Sequence, residues 1–211
     1  MAKFLIADDH PLYREALISA LRPLFESFDI VQADSLDSML EALNQNSDFD
    51  LVLLDLNMPA CENFYGLIRV SQDFPSVPVA VVSASDSVEV VSKVMSLGAK
   101  GFISKATATL TIAEALKQIM DGNSWLPQGM QIRLDDNISI RNIAKLVREL
   151  TPKQFEVLKQ LQNGLLNKQI AFDLNITEAT VKAHITAIFR KLKVNTRTQA
   201  VLLLNNLDIP E

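Results

Sequence analysis

Leu51-Val52-Leu53-Leu54-Asp55, followed by Asn57-Met58-Pro59, is an apolar run that ends in a single carboxylate. Three other runs share its plan. Phe4-Leu5-Ile6-Ala7 ends in Asp8-Asp9, Val79 to Val82 ends at Ser83, and Gly101-Phe102-Ile103-Ser104 ends at Lys105. Short segments dominated by Val, Ile, Leu and Phe read as strands buried on both faces. The strand candidates are 3–7, 29–33, 51–54, 78–82 and 100–104, with helical patterns near 11–26, 35–45, 64–73, 86–97 and 107–121 between them. Pro11 suits the first position of the first helix, and Gly98 suits the position just past the end of the fourth. Five such βα units predict a flavodoxin-like, doubly wound parallel five-stranded α/β domain over residues 1–127.

In an open parallel sheet, ligands bind outside the carboxyl ends of the strands, so the four polar strand ends are expected to meet in one place. Singly, each has an ordinary explanation: a strand-end Asp caps a turn, paired acids before Pro11 cap a helix, and a lone Lys is surface. Four matches at successive strand ends favour a shared site. A carboxylate such as Asp55 is ionised at neutral pH and needs no general base to attack phosphorus. Its difficulty is repulsion by an anionic phosphoryl group, which Mg²⁺ on oxygen ligands relieves. Asp8 and Asp9 supply further carboxylates, Lys105 a point cation, and Ser83 a hydrogen-bond donor to an acyl phosphate.

Charge divides the 211 residues unevenly. Residues 1–127 hold 8 Lys and Arg against 17 Asp and Glu, whereas residues 151–211 hold 8 against 5. The mildly basic end is the place to look for nucleic acid, although that balance alone is weak support. One cysteine, Cys61, excludes an internal disulfide framework, suits a cytoplasmic location, and reads as an incidental thiol rather than a redox group. No apolar run approaches the ~18 residues of a membrane span, so no membrane association is expected. Residues 128–147 read as a partly helical linker, with Ile140, Ile143, Leu146, Val147 and Leu150 forming an amphipathic stripe.

Residues 148–211 are expected to form an all-α, four-helix domain, with helices near 152–163, 167–174, 177–192 and 196–207. Thr177 and Thr196 are candidate N-caps, and Asn175-Ile176 is the tight connection of a helix-turn-helix. At 100° per residue, Val181, Ile185, Ile188 and Leu192 share one stripe, while Lys182, Ala183, Thr186 and Arg190 lie opposite. Small and cationic side chains facing outward suit a major groove, where Lys and Arg reach phosphates or guanine edges. From this helix alone, an ordinary amphipathic helix with solvated lysines is the better reading; the neighbouring motifs change that. Leu150-Thr151-Pro152, Glu156-Val157-Leu158, Asn167-Lys168-Gln169-Ile170-Ala171, Thr180-Val181-Lys182-Ala183-His184 and Arg190-Lys191-Leu192-Lys193-Val194 follow in order, with Arg197 and Ala200-Val201 after them.

That series resembles the LuxR-type helix-turn-helix of the NarL/FixJ/LuxR response regulators, and residues 1–127 resemble a response-regulator receiver domain. The resemblance implies Asp55 as phosphoacceptor, with Asp9, Asp55 and the backbone carbonyl of Asn57 on Mg²⁺ and Asp8 acting mainly through water. Ser83 and Phe102 match the switch positions, Phe102 turning inward on phosphorylation, and Lys105 matches the family lysine. In the second domain it implies that 177–192 is the recognition helix. Lys182, Ala183 and Thr186 take the base-facing positions, His184 and Lys191 the backbone side, and the last helix the dimer contact. Gln154 stands where relatives carry Glu, removing a structural ion pair. The loop from Ala60 to Tyr65 is longer than the family pattern, which puts access to Asp55 in question.

The resulting expectation is a DNA-binding transcriptional regulator, not an enzyme. A sensor histidine kinase phosphorylates it, and it binds double-stranded promoter DNA as a homodimer, with RNA polymerase a further candidate partner. The alternative is a phosphorylation-independent DNA-binding regulator with a vestigial receiver. An aspartyl-phosphate phosphatase is disfavoured, because Asn57 stands where those enzymes need a second Asp.

Overall fold

The parallel sheet is ordered β2-β1-β3-β4-β5 in the computed structural model, which describes residues 1–46, 48–59, 61–62, 64–132 and 138–207. Its strands are β1 Ala2–Ala7, β2 Phe28–Ala33, β3 Leu51–Asp55, β4 Val79–Ser83 and β5 Gly101–Ser104. β3, β4 and β5 are buried along their whole length, which is why they carry continuous apolar runs rather than alternating ones. The helices of this unit are α1 Pro11–Leu21, α2 Leu36–Gln45, α3 Tyr65–Asp73, α4 Val88–Ser96 and α5 Thr109–Met120. This is the doubly wound arrangement anticipated from the sequence. Pro11 occupies the first turn of α1, and Gly98, with φ of 106°, follows the end of α4.

Two boundaries that differ from expectation have a local reason. Helix α1 stops at Leu21, not near residue 26, because Pro23 has no N–H to extend the ladder. The apolar residues beyond it turn back instead, and Phe25 and Phe28 pack on Phe4 with ring centroids 5.2 and 5.9 Å away. Helix α3 starts at Tyr65 because Phe64 is left-handed, with φ of 60°. After α5 the chain runs back along the free edge of β5. There the N–H of Phe102 donates to the Trp125 carbonyl (3.0 Å) and that of Trp125 to the Lys100 carbonyl (3.2 Å). A Cβ at Gly101 would lie 2.5 Å from Ile119 Cδ1 and 3.2 Å from Trp125 Cβ, so a side chain here would push Ile119 aside and crowd this segment.

The chain divides into two compact units, the second beginning at Ser139. It contains α6 Ile138–Arg148, α7 Pro152–Gln162, α8 Asn167–Asp173, α9 Glu178–Leu192 and α10 Arg197–Asn205. The helical part of the segment read as linker therefore goes with this unit. Its remainder includes residues 133–137, Asp135-Asp136 among them, which lie outside the described residues, as do Ser47, Ala60, Asn63 and the last four positions. On α6, Ile140, Ala144 and Val147 are buried, whereas Ile143 and Leu146 are half-buried. Phe155, Leu158, Leu161, Ile170, Val181 and Ile188 complete much of this core.

Candidate phosphoryl site and nucleic-acid interface

The sheet order reverses between β1 and β3, and that switch point is where the acidic residues gather. Ala7 is in register with Leu54, so Asp8 and Asp55 leave neighbouring strands at one level. Both are almost fully buried. Lys105, leaving β5 after Ser104, places Nζ 2.8 Å from Asp8 Oδ2 and 2.9 Å from Asp55 Oδ2. Asp9 is half-buried, its Oδ1 lying 2.7 Å from His10 Nδ1. Oxygens of Asp8, Asp9 and Asp55 and a nitrogen of His10 all lie within 4.8 Å of one another. Three convergent carboxylates form a hard-oxygen donor set suited to Mg²⁺.

Burial pushes the Asp55 carboxyl above its ordinary range, and neither Lys105 nor the Asn57 N–H, 3.2 Å from Oδ1, fully offsets that. For Lys105, burial acts to lower the ammonium's pKa, but the bonds to Asp8 and Asp55 outweigh it and the result is raised. The pocket is thus two buried anions locked by one cation, an arrangement ready to gain from a second positive charge.

Sequence reading did not single out several neighbours. Arg14 donates to the Asp8 carbonyl (2.7 Å) and to Gln32 (2.7 Å), tying the acidic turn to β2. The Tyr13 ring lies under the Lys105 ammonium, 4.9 Å from its centroid. His10, Leu12, Tyr13, Asp55, Asn57, Ala84 and Lys105 line a cavity of about 420 Å³.

Ser83 and Phe102, the two expected switch positions, both lie inside the fold. Ser83 is buried, and its hydroxyl accepts from the Ser85 N–H (3.2 Å). Phe102 is already fully buried, so an outward starting position is absent here. Among the described residues of this stretch, Met58, Cys61, Phe64 and Tyr65 are all buried. The Cys61 Sγ sits 2.6 Å from where a Cβ on Gly66 would lie, and burial pushes the thiol's pKa up, so Cys61 is a packing residue.

In the second unit, Leu174 to Thr177 joins α8 to α9, with Asn175 left-handed (φ 51°) and Thr177 capping α9 through its bond from Thr180 N–H (3.1 Å). Val181, Ile188 and Leu192 are buried and Ile185 half-buried. Lys182, Ala183, Thr186 and Arg190 are all exposed, forming the outward face. Lys182 Nζ rests 3.1 Å from Glu178, and His184 is half-buried. Lys191 differs: it turns back to donate to Gln154 on α7 (2.7 Å). Arg197 donates to the carbonyls of Leu161 and Leu165 (2.9 and 2.8 Å), closing the end of α7. On α10, Ala200 and Leu204 are buried and Leu202 stands exposed. Among the described residues no helix is long and apolar enough to cross a membrane.

A receiver-type sheet with an acidic switch-point pocket, followed by a helix-turn-helix unit, defines the response-regulator class. Residues 4–117 match the response regulator receiver domain, and residues 148–204 match the bacterial regulatory proteins of the luxR family. The glycerol metabolism activator of Pseudomonas putida is 41% identical, with 99% of this chain and 97% of that protein covered. The nitrate/nitrite response regulator NarL of Escherichia coli K12 is 30% identical over 95% of this chain and 94% of its own. Among solved structures, Salmonella enterica RcsB bound to a promoter in the presence of phosphomimetic BeF3⁻ shares the fold, with TM-score 0.58, 24% identity and 98% of each chain covered. The chain belongs to the NarL/LuxR family of DNA-binding response regulators, which regulate transcription.

Proposed function

We propose that this regulator is switched by phosphorylation of Asp55 and binds promoter DNA as a dimer. The observation that carries the reading is the pair of buried carboxylates, Asp8 and Asp55, bridged by Lys105 at the switch point of the sheet. A sensor histidine kinase is the donor. An Asp55 carboxylate oxygen attacks the phosphorus of its phosphohistidine, the N–P bond breaks, and the electron pair returns to the imidazole nitrogen. Asp8, Asp9, Asp55 and the Asn57 carbonyl would hold Mg²⁺, which offsets charge between the carboxylates and the incoming phosphoryl oxygens. Lys105 neutralises a further oxygen. Ser83 then exchanges its bond from Ser85 for one to the acyl phosphate, and β5 adjusts around Phe102, biasing a two-state equilibrium.

At the DNA, Lys182, Ala183 and Thr186 face base edges and Arg190 the backbone, with His184 at the margin. Lys191, held by Gln154, contributes through the packing of α7 on α9. α10, with Leu202 exposed, is the dimer contact. Paired half-sites would then lie about one helical turn apart. The Pseudomonas putida relative, named as an activator of glycerol metabolism, makes promoters of that metabolism the first to try.

The test is intact mass after incubation with Mg²⁺ and acetyl phosphate, with Asp55→Asn as control. A phosphoryl adduct on the wild type alone is expected. Its absence from folded protein, with beryllofluoride also without effect, would transfer the case to a phosphorylation-independent regulator.

A further inference from the structure

Tyr13 stands in the first turn of α1, four residues after the acidic pair, and that position carries its ring to the carboxyl end of the sheet. Three observations converge on it. Its ring face lies 4.9 Å from Lys105 Nζ, the ammonium that also touches Asp8 and Asp55. Its hydroxyl is buried and has no hydrogen-bond partner among the described residues. Its ring lines the cavity that opens onto Asp55 and Asn57.

We propose that Tyr13 is a positioning residue for phosphoryl transfer, its ring face holding the Lys105 ammonium between the two carboxylates. This rests on the reading of Asp55 as phosphoacceptor. An ammonium has three donors, and two of its directions are taken by Asp8 and Asp55. The flexible four-carbon stem would otherwise let the head swing toward solvent. An aromatic face attracts the cation on the remaining side and is worth more where water is partly excluded. Lys105 retains only 16% side-chain exposure. The ring thus acts on the resting pocket, keeping the cation where the third phosphoryl oxygen arrives. Tyr13 is not itself a proton donor in this scheme: burial, Asp8 and Asp55 push its phenol up to about 12. The competing account is that Tyr13 only packs against the core formed by Leu17, Ile112 and their neighbours, which it also borders.

Fluorination separates the two accounts, because successive fluorines drain the negative charge from a ring face while barely changing its shape. Phenylalanine and its mono-, di- and trifluorinated forms are placed at position 13 in the full-length protein. The rate of Asp55 phosphorylation by acetyl phosphate is read by intact mass over a range of donor concentrations. Tyr13→Phe should keep a rate near wild type, and the fluorinated series should fall stepwise to a total loss of roughly three- to thirty-fold at saturating donor. A flat series at unchanged melting temperature overturns the proposal. So does a Tyr13→Phe rate as low as that of the most fluorinated ring, since the hydroxyl would then be the active part. If the wild type itself takes no phosphoryl group, the reading of Asp55 fails first, and the two failures are distinguished.

Discussion

The pocket on β1, β3 and β5 and the outer face of α9 are both charged, yet they hold charge in opposite ways. In the pocket, Asp8 and Asp55 are buried and a single lysine bridges them at 2.8 and 2.9 Å, so removing the lysine leaves two buried anions uncompensated, whereas removing one carboxylate leaves a matched pair. On α9, Lys182 and Arg190 are exposed, and Lys182 has only a neighbouring Glu178 at 3.1 Å. A surface pair of that kind is worth about 0–1 kcal/mol. The pocket is therefore a stored electrostatic tension, and the helix face is a set of nearly independent contacts. The first suits a switch; the second suits additive binding to a polyanion.

The largest effect should separate the two regions outright. Ile188 is fully buried on the inner face of α9, so Ile188→Ala should destabilise the second unit by about 2–5 kcal/mol through the cavity it leaves. Calorimetry should show the transition of that unit moving down, with DNA binding lost and uptake of phosphoryl at Asp55 retained. Loss of phosphoryl uptake as well would break the comparison, because the pocket would then depend on α9.

The next test concerns additivity at the DNA. Lys182→Ala should weaken binding roughly three- to tenfold and relax specificity at the base it faces, whereas Arg190→Ala should reduce the slope of log affinity against log salt by about 1. Glu178→Gln should act in the opposite direction to Lys182→Ala, freeing Lys182 from its helix neighbour. Gel shift or fluorescence anisotropy across a salt series checks all three. An unchanged slope in Arg190→Ala would mean that Arg190 does not meet phosphate.

How much of this was legible follows from the same contrast. The sheet and its polar strand ends could be read because strands buried on both faces carry unbroken apolar runs, and because Asp8, Asp55, Ser83 and Lys105 each close one. The stripe of α9 could be read because helical period alone places Val181, Ile188 and Leu192 together. Arg14 on the Asp8 carbonyl, Tyr13 under Lys105 and Arg197 on the end of α7 could not, since each joins elements whose approach only packing decides. Lys191 shows the same limit in reverse: its spacing suggests the DNA side, but its long stem reaches Gln154 instead. At the end of α1, Leu24 and Phe25 continue the apolar pattern past the point where Pro23 stops the helix.

Asp55→Asn sharpens the account of the pocket through stability rather than phosphorylation. Burial raises the folded-state pKa of Asp55 above its unfolded value. Its contribution to stability is then full below the unfolded pKa and is lost as pH rises through the folded one. At neutral pH the ionised carboxylate is a net cost, so the variant should be more stable than wild type there, read as a higher melting temperature. The difference should shrink as pH is lowered through the carboxylate range, and Mg²⁺ should narrow it at neutral pH by stabilising the wild type. A variant less stable than wild type at pH 7 would mean that Lys105 compensates Asp55 in full.

The smallest expected effect tests the one place where α9 borrows the logic of the pocket. The Gln154 Oε1 accepts both from the Thr151 N–H (3.1 Å), completing the cap of α7, and from Lys191 Nζ (2.7 Å). One neutral oxygen thus serves two donors. In Gln154→Glu each donor gains its own oxygen, and the contact to Lys191 becomes an ion pair. Because both side chains are half-buried, the gain should be a few tenths of a kcal/mol and below about 1 kcal/mol. It should disappear as pH falls through the glutamate range near ~4.3, and in about 1 M salt, where screening acts over some 3 Å. Affinity for DNA should not change, since Lys191 already faces α7. If Gln154→Glu instead weakens DNA binding, Lys191 leaves Gln154 for phosphate in the complex, and the face of α9 gains a third cation.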